Sequence, residues 1–187
     1  MVSVIALWLP ILVGAVLVFI VSSIIHVVLK YHDSDFGGVP NEDGLRAAMR
    51  ELNIPPGDYM VPHCGDSKDR NSDEFKAKVK EGPVVIMTVH GDDPFNMSAS
   101  LTQWFLYCIL IGVFAAYVTG LAYGPGAEYM EVFRMSATVA FAGYGLAILQ
   151  QSIWLKRDWT STAKSVFDAL VYGLLTAGVL GWLWPGA

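Results

Sequence analysis

Four polar residues lie inside long apolar stretches of the chain, or within about one turn of their ends. They are His26, Gln150, Gln151 and Asp168. If the apolar stretches are membrane helices, all four residues lie at similar depth near one end of the bundle. Ionisable groups at that depth are typical of a proton- or ion-handling site, or of a ligand contact. The alternative is a His–Asp hydrogen bond that joins two helices, or side chains that reach the interface and stay hydrated.

A second group of reactive residue types lies in the polar middle of the chain. His63 and Cys64 follow one short predicted strand, and His90 follows the next. If the two strands are parallel, their carboxyl ends are neighbours, and Asp66 or Asp92 lies near the same point. Imidazole, thiolate and carboxylate groups can bind zinc, and a Cys–His pair can act as a nucleophile. The paired C-x-x-C spacing of strong zinc motifs is absent, so ordinary polar turn residues are the competing interpretation.

Composition and motifs argue against several functional classes. The chain has 17 acidic and 12 basic residues and a net charge of -5, whereas nucleic-acid binding requires a basic face. No Walker-type loop, H-E-x-x-H, G-x-S-x-G or G-x-G-x-x-G motif occurs. We therefore predict no nucleic-acid partner, no cofactor and a non-enzymatic protein. The acidic residues between Asp33 and Asp93, Asp35 among them, are expected to form a solvated surface.

Apolar residues are concentrated in four stretches, in a chain that is 54% hydrophobic and only 16% charged. Each stretch has about the 20 residues that a helix needs to cross a bilayer. The sequence therefore predicts an all-α transmembrane bundle of four helices, at residues 1–30, 101–124, 132–153 and 165–184. All six tryptophans fall at or near an end of a predicted helix, and tryptophan prefers the lipid–water interface.

Residues 31–100 differ in character, with 7 Lys or Arg and 13 Asp or Glu. They predict a small soluble α/β domain inserted between membrane helices 1 and 2, in the order helix, strand, helix, strand. Asn41 and Ser72 have the side chains that cap helix N-termini. The apolar segment VVIMTV at 84–89 is typical of a strand buried on both faces. Because a two-stranded sheet is marginal alone, we expect the bundle, a third strand or another subunit to cover it.

Small residues recur every four positions in two of the predicted membrane helices. One ladder is Gly112, Ala116, Gly120 and Gly124, and the other is Ala169, Gly173, Ala177 and Gly181. Small side chains at this spacing let a second helix backbone approach closely, which stabilises helix contacts in lipid. Four helices need only part of this smooth surface internally, so a ladder is available for a partner.

Several segments resemble a family of small bacterial four-span integral membrane proteins that has no assigned function. The resemblance rests on SSIIHVVLKYH at 22–32, PPGDYMVP at 55–62, QWFLYC at 103–108 and LLTAGVLGWLWP near the C-terminus. It implies a bacterial inner-membrane setting and nothing about a substrate.

The distribution of basic residues predicts the orientation in that membrane. Eleven of the 12 Lys and Arg residues fall on one side of the predicted bundle, and only Arg134 lies at the other. Because positive charge in short loops favours the cytoplasm, we expect both termini in the periplasm and residues 31–100 in the cytoplasm.

Three functions are compatible with these patterns. The first is a non-enzymatic, oligomeric or accessory subunit that scaffolds a membrane complex, with the lipid bilayer and itself or another membrane protein as partners. The second is a small transporter or channel that uses the polar cluster at the cytoplasmic end of the bundle. The third is a membrane enzyme or metal-binding protein that acts through His63, Cys64 and His90.

Overall fold

The computed structural model of the chain describes residues 1–66, 68–91 and 96–186. The described part is mostly helical. Four helical segments in it are long and apolar enough to cross a membrane: Val4–Leu29, Met97–Ala122, Tyr129–Trp154 and Trp159–Trp182. The fold is thus that of a multi-pass membrane protein. The chain divides into two compact units, Met1–Gly37 with Met97–Ala187, and Gly38–Asn96.

The regular elements alternate with short, tighter or wider helical turns. In chain order the helices are α1 (Trp8–Ser23), α2 (Glu42–Leu52), α3 (Asp73–Glu81), α4 (Met97–Ala122), α5 (Tyr129–Gly145), α6 (Leu149–Trp154) and α7 (Trp159–Trp182), and the strands are β1 (Gly57–Val61) and β2 (Val85–Val89). Turns of 3-10 helix cover Val4–Leu7, Tyr31–Asp35, Asp69–Asn71 and Leu146–Ile148, and a π-helical turn covers Ile24–Leu29.

The last membrane helix begins earlier than the apolar pattern predicts. The Asp158 carboxylate accepts a hydrogen bond from the Ser161 backbone N–H at 3.0 Å, which satisfies one of the free donors of the first turn. Helix α7 therefore starts at Trp159 rather than at residue 165. As a result Lys164 lies within the helix, instead of in the polar loop that the sequence predicts.

The first ladder of small residues packs against the N-terminal segment of the same chain. A Cβ added to Gly112 would lie 3.2 Å from a methyl carbon of Ile11, and Ala116 is fully buried. The Val2 backbone N–H donates to the Gly120 carbonyl at 2.9 Å. Gly124 is less crowded, because a Cβ there would lie 3.8 Å from the Met1 nitrogen.

The second ladder lies between α7 and α5. A Cβ added to Gly173 would lie 3.1 Å from the Phe141 backbone nitrogen, and one added to Gly181 would lie 2.8 Å from ring carbons of Tyr129. Ala169, one turn before Gly173, and Ala177, between the two glycines, are both buried. Both ladders therefore pack against other segments of the same chain, and six of their eight residues are buried; Gly124 and Gly181, at the ends of the ladders, are partly exposed.

The unit Gly38–Asn96 has the order helix, strand, helix, strand that the sequence predicts. The Asn41 side-chain oxygen accepts from the Gly44 N–H at 3.0 Å and starts α2. The Ser72 hydroxyl accepts from the Phe75 N–H at 3.2 Å and starts α3. Tyr31–Asp35, which the sequence assigns to this domain, instead belongs to the membrane-helix unit.

The two strands pair antiparallel, with Gly57 opposite Val89 and Val61 opposite Val85. Parallel pairing, the condition under which His63, Cys64 and His90 would be neighbours, is therefore not met, because α3 returns the chain to the end of β1 rather than carrying it back along the strand. The expectation that residues 84–89 are buried on both faces is wrong. No described residue between Gly38 and Asn96 is buried, so this sheet has no core of its own among those residues.

Candidate functional site

The site is centred on His32, which bridges two buried carboxylates in the membrane-helix unit. Its Nδ1 lies 2.7 Å from Asp35 Oδ2, and its Nε2 lies 2.7 Å from Asp168 Oδ2. The carboxylate side chains are only 4% and 5% exposed. A single imidazole ring thus connects the two carboxylates. Both of its nitrogens can donate at the same time only when the ring is an imidazolium.

His26 and Asp168, the two ionisable residues that the sequence places in membrane helices, do come together. The rings of His26 and His32 are parallel within 2°, with centroids 4.8 Å apart. His26, His32 and Asp168 each offer one atom that could bind a metal, a ring nitrogen or a carboxylate oxygen, and these three atoms lie within 4.8 Å of one another. The Tyr31 hydroxyl donates to the second carboxylate oxygen of Asp168. His32 and Tyr31, which the sequence analysis did not select, complete the group.

Asp35 connects this group to two basic side chains. Lys164 Nζ donates to Asp35 Oδ1 at 2.9 Å, and also to the Tyr31 carbonyl and the Ser34 hydroxyl. Arg157 Nη2 lies 3.6 Å from Asp35 Oδ2. Burial raises the pKa of Asp35, but hydrogen bonds and charges from His32 and Lys164 outweigh it and lower the pKa from 3.8 to about 2. The prediction that Asp35 belongs to a solvated surface is wrong.

The local backbone explains why His26 and His32 meet. Residues six apart lie on different faces of a regular α-helix. Here α1 widens into the π-helical turn Ile24–Leu29, and Lys30 then adopts a left-handed conformation with φ 54°. The chain reverses into the 3-10 turn Tyr31–Asp35, which places His32 against His26 and beside α7. Widened helical turns of this kind are frequent at functional sites.

A cavity of about 820 Å³ adjoins this cluster. His26, His32 and Asp168 line one end of it, and its wall includes five aromatic residues: Phe36, Trp104, Tyr107, Tyr144 and Tyr172. The Trp104 indole N–H donates to the Ser22 hydroxyl at 2.9 Å. Trp104 lies about two turns after the start of α4, where it lines the cavity instead of marking the end of a helix.

Two tyrosine hydroxyls in the cavity wall are buried without a hydrogen-bond partner in the described part of the chain. They belong to Tyr144 and Tyr172, which are 6% and 4% exposed. The Cys108 thiol and the Thr176 hydroxyl lie near Tyr144, but not in hydrogen-bonding geometry. By contrast, the Tyr107 hydroxyl donates to the Gly143 carbonyl at 2.8 Å. A buried polar group left unpaired costs about 1–3 kcal/mol, so a ligand that pairs with it gains that amount.

Gln150 and Gln151 do not join the cluster. Both residues are exposed. Gln151 reaches the network only at its edge, where its side-chain oxygen accepts from Arg157 Nη1 at 3.2 Å. The 3-10 turn Leu146–Ile148 separates α5 from α6 and changes the helical phase. The two glutamines therefore do not lie on the helix face that one continuous helix would give them.

The structure does not bring His63, Cys64 and His90 together. His63 and Cys64 follow the end of β1, whereas His90 follows the opposite end of the antiparallel pair, roughly 17 Å away along a five-residue strand. The Cys64 thiol donates to the Asp66 carbonyl at 3.0 Å, and Asp92 lies outside the described residues. Among the described residues, three metal-type donors converge only at His26, His32 and Asp168.

No protein-family model, curated protein or solved structure matches this chain. The resemblance to small bacterial membrane proteins thus remains a prediction from the four sequence segments, and function is argued from the geometry of the site alone.

Proposed function

We propose that this protein binds a small amphipathic molecule in the cavity of its helical bundle. The observation that carries the proposal is a cavity of about 820 Å³ with a charged cluster at one end and an aromatic wall. Pockets of 300–1,000 Å³ that combine an apolar lining with a few convergent polar groups are typical of small-molecule sites. A membrane ligand-binding protein, a class that includes small transporters, fits this arrangement better than an enzyme.

The wall of the cavity indicates the chemistry of the ligand. Its aliphatic and aromatic side chains favour an apolar body, and Trp104 with the neighbouring tyrosines favours flat or unsaturated groups. The unpaired hydroxyls of Tyr144 and Tyr172 favour a ligand oxygen that can accept a hydrogen bond. The cluster of His26, His32 and Asp168 favours a polar head group at one end.

The first test fills the cavity. Leu101 lines it and is 40% exposed, so Leu101→Trp adds bulk to the cavity without disturbing a packed core. We expect untagged protein, purified in mild detergent, to carry a bound species of defined mass, and Leu101→Trp to lower its occupancy at least tenfold. Native mass spectrometry measures this. Leu106→Trp is the matched control, because Leu106 lies on the same helix, is 57% exposed and does not line the cavity.

The second arm of this test separates ligand contact from stability. Tyr144→Phe and Tyr172→Phe each remove an unpaired buried hydroxyl, so the ligand-free protein is expected to gain about 1 kcal/mol while ligand occupancy falls. If both tryptophan variants carry the same adducts as the parent, or only bulk lipid is found, the proposed ligand site is wrong.

A second candidate function is that of an accessory or oligomeric subunit, and it is supported by the unit Gly38–Asn96. Val85 and Ile86 in β2 are 39% and 40% exposed, and within the described part of the chain each strand has only one hydrogen-bonded neighbour. An uncovered apolar strand with a free edge is typical of a surface that pairs with another chain. A photo-cross-linker at Ile86 is expected to capture a discrete partner in native membranes, whereas one at Lys80 on α3 is not. If the cross-linkers at Ile86 and Lys80 give the same result, and only the uncross-linked monomer is found with each, this function is contradicted.

The setting that we propose with either function is the bacterial inner membrane, with both termini in the periplasm and residues 31–100 in the cytoplasm. Support comes from the distribution of Lys and Arg along the chain.

A further inference from the structure

We propose that His26, His32 and Asp168 form a binding site for a divalent transition-metal ion, with zinc as the best match to the donor set. The donors of these three side chains lie within 4.8 Å of one another. Two imidazoles and one carboxylate are a common ligand set for zinc when a fourth position is left open. The same three side chains also line the proposed ligand cavity, but zinc binding does not require that a ligand occupy the cavity.

The groups around the three donors are those that orient metal ligands. His26 Nδ1 donates to the Ser22 carbonyl at 2.9 Å, which leaves its Nε2 as the free lone pair. His32 Nδ1 lies 2.7 Å from an oxygen of Asp35. A histidine that binds a metal through one nitrogen usually donates its other N–H to a carbonyl or carboxylate, which fixes the tautomer and the ring orientation.

Asp168 has one oxygen available for the metal. The Tyr31 hydroxyl donates to Oδ1, and Oδ2 faces His32 Nε2. The nearby cation Lys164 bonds to Asp35 and not to Asp168. Its charge therefore compensates the outer carboxylate and leaves Asp168 to supply the negative charge next to the metal.

Metal binding requires small movements that the site permits. His32 Nε2 and Asp168 Oδ2 are 2.7 Å apart, whereas two ligands of tetrahedral zinc are about 3.3 Å apart at bond lengths near 2.0 Å. Zinc therefore displaces the proton that lies between the two atoms, which is released to solvent, and the pair opens by roughly half an ångström. Because the two imidazole rings are parallel, the His26 ring also has to rotate. Its side chain is exposed, so there is room for this movement, and the hydrogen bond to the Ser22 carbonyl has to adjust with it.

The open fourth position would face the cavity. The three side chains line its polar end, and a water molecule or the head group of a ligand can occupy that position. An ion held by three protein ligands and one exchangeable ligand is the arrangement of reactive zinc sites rather than of closed structural sites.

The test uses the untagged full chain in detergent, freed of metal with a chelator and titrated with Zn²⁺ against a chromophoric competitor. We expect one tight equivalent per chain, and a visible absorption spectrum of four-coordinate geometry when Co²⁺ replaces Zn²⁺. His26→Ala is expected to weaken affinity more than 100-fold, and Asp35→Asn, which neutralises the carboxylate that holds His32 Nδ1, about 10–100-fold. Thermal unfolding shows that each variant is folded.

His63→Ala and His90→Ala are the matched controls, since both remove an exposed histidine from the unit Gly38–Asn96. They are expected to bind zinc as the parent does. Absence of a tight equivalent overturns the proposal. So does stoichiometric binding that persists in His26→Ala, because the ion would then be held elsewhere. Loss of zinc binding in His90→Ala would also overturn it.

Discussion

Asp35→Ala is expected to lower the free energy of unfolding by about 3 kcal/mol. The substitution removes the one charged acceptor of Lys164, which keeps the Tyr31 carbonyl and the Ser34 hydroxyl, and one of the two carboxylates that hold His32. Breaking a buried ion pair from one side is costly, because the remaining charge loses its partner but stays out of water. Three side chains contact the Asp35 carboxylate: His32, Lys164 and, at 3.6 Å, Arg157. Because Lys164 lies in α7, the Asp35 carboxylate connects the Tyr31–Asp35 turn to that helix.

Thermal or denaturant unfolding in detergent micelles measures this change. Asp33→Ala is the matched control, because Asp33 lies in the same turn and is exposed, and its loss is expected to change stability by no more than about 0.5 kcal/mol. Equal unfolding midpoints for the two variants would show that the Asp35 network does not hold the turn to the bundle.

The same network predicts a pH dependence. The pKa of Asp35 is lowered from 3.8 to about 2 in the folded protein. The ionised carboxylate therefore adds stability above pH 3.8, and this contribution is lost as the pH falls through about 2. The parent is expected to lose stability between these values more steeply than Asp35→Ala does, and parallel curves would contradict the assignment.

Gly173→Leu is expected to destabilise the bundle by about 3 kcal/mol, at the upper end of the usual cost of overpacking. A Cβ at this position would already lie 3.1 Å from the Phe141 backbone nitrogen and 3.3 Å from its Cα. Backbone atoms of α5 cannot swing aside as the tip of a side chain does. The added leucine therefore has to push α5 away from α7 along their shared contact.

Two alanine variants of the same helix provide the control for this prediction. Gly178→Ala meets only the Tyr129 hydroxyl at 3.9 Å, so it is expected to be neutral or to stabilise by up to about 1 kcal/mol through better helix propensity. Gly173→Ala is expected to fall between Gly178→Ala and Gly173→Leu. If the melting temperatures do not follow this order, close approach at Gly173 is not what holds α5 and α7 together.

Much of the architecture follows from local sequence. Apolar runs of about 20 residues identify the four membrane-crossing helices, because a helix of that length matches the hydrocarbon thickness. Asn41 and Ser72 start α2 and α3 as their side chains predict. The apolar pattern predicts a start of α7 at residue 165, which is too late, since the cap at Asp158 extends the helix beyond its apolar part. Apolar pattern alone does not detect such an extension.

The candidate site was only half predictable. Asp168 and His26 stand out because polar residues are rare in apolar helices. His32 and Asp35 lie in a polar segment next to other acidic residues, so nothing in their local sequence distinguishes them from a solvated surface. Tyr144 and Tyr172 resemble ordinary aromatic core residues, and only the structure shows their hydroxyls buried and unpaired.

The sequence by itself determined which segments are apolar and long enough to cross a membrane, the caps that start α2 and α3, and the small-residue ladders. These depend on hydrophobicity and on bonds between residues a few positions apart. Tertiary structure decided the antiparallel pairing of β1 and β2, the reversal after Lys30 and the meeting of His32 with Asp168. These depend on contacts between residues distant in the chain, in one case 136 positions apart. A local pattern carries no information about such contacts, since they form only when packing of the whole bundle brings the two segments together.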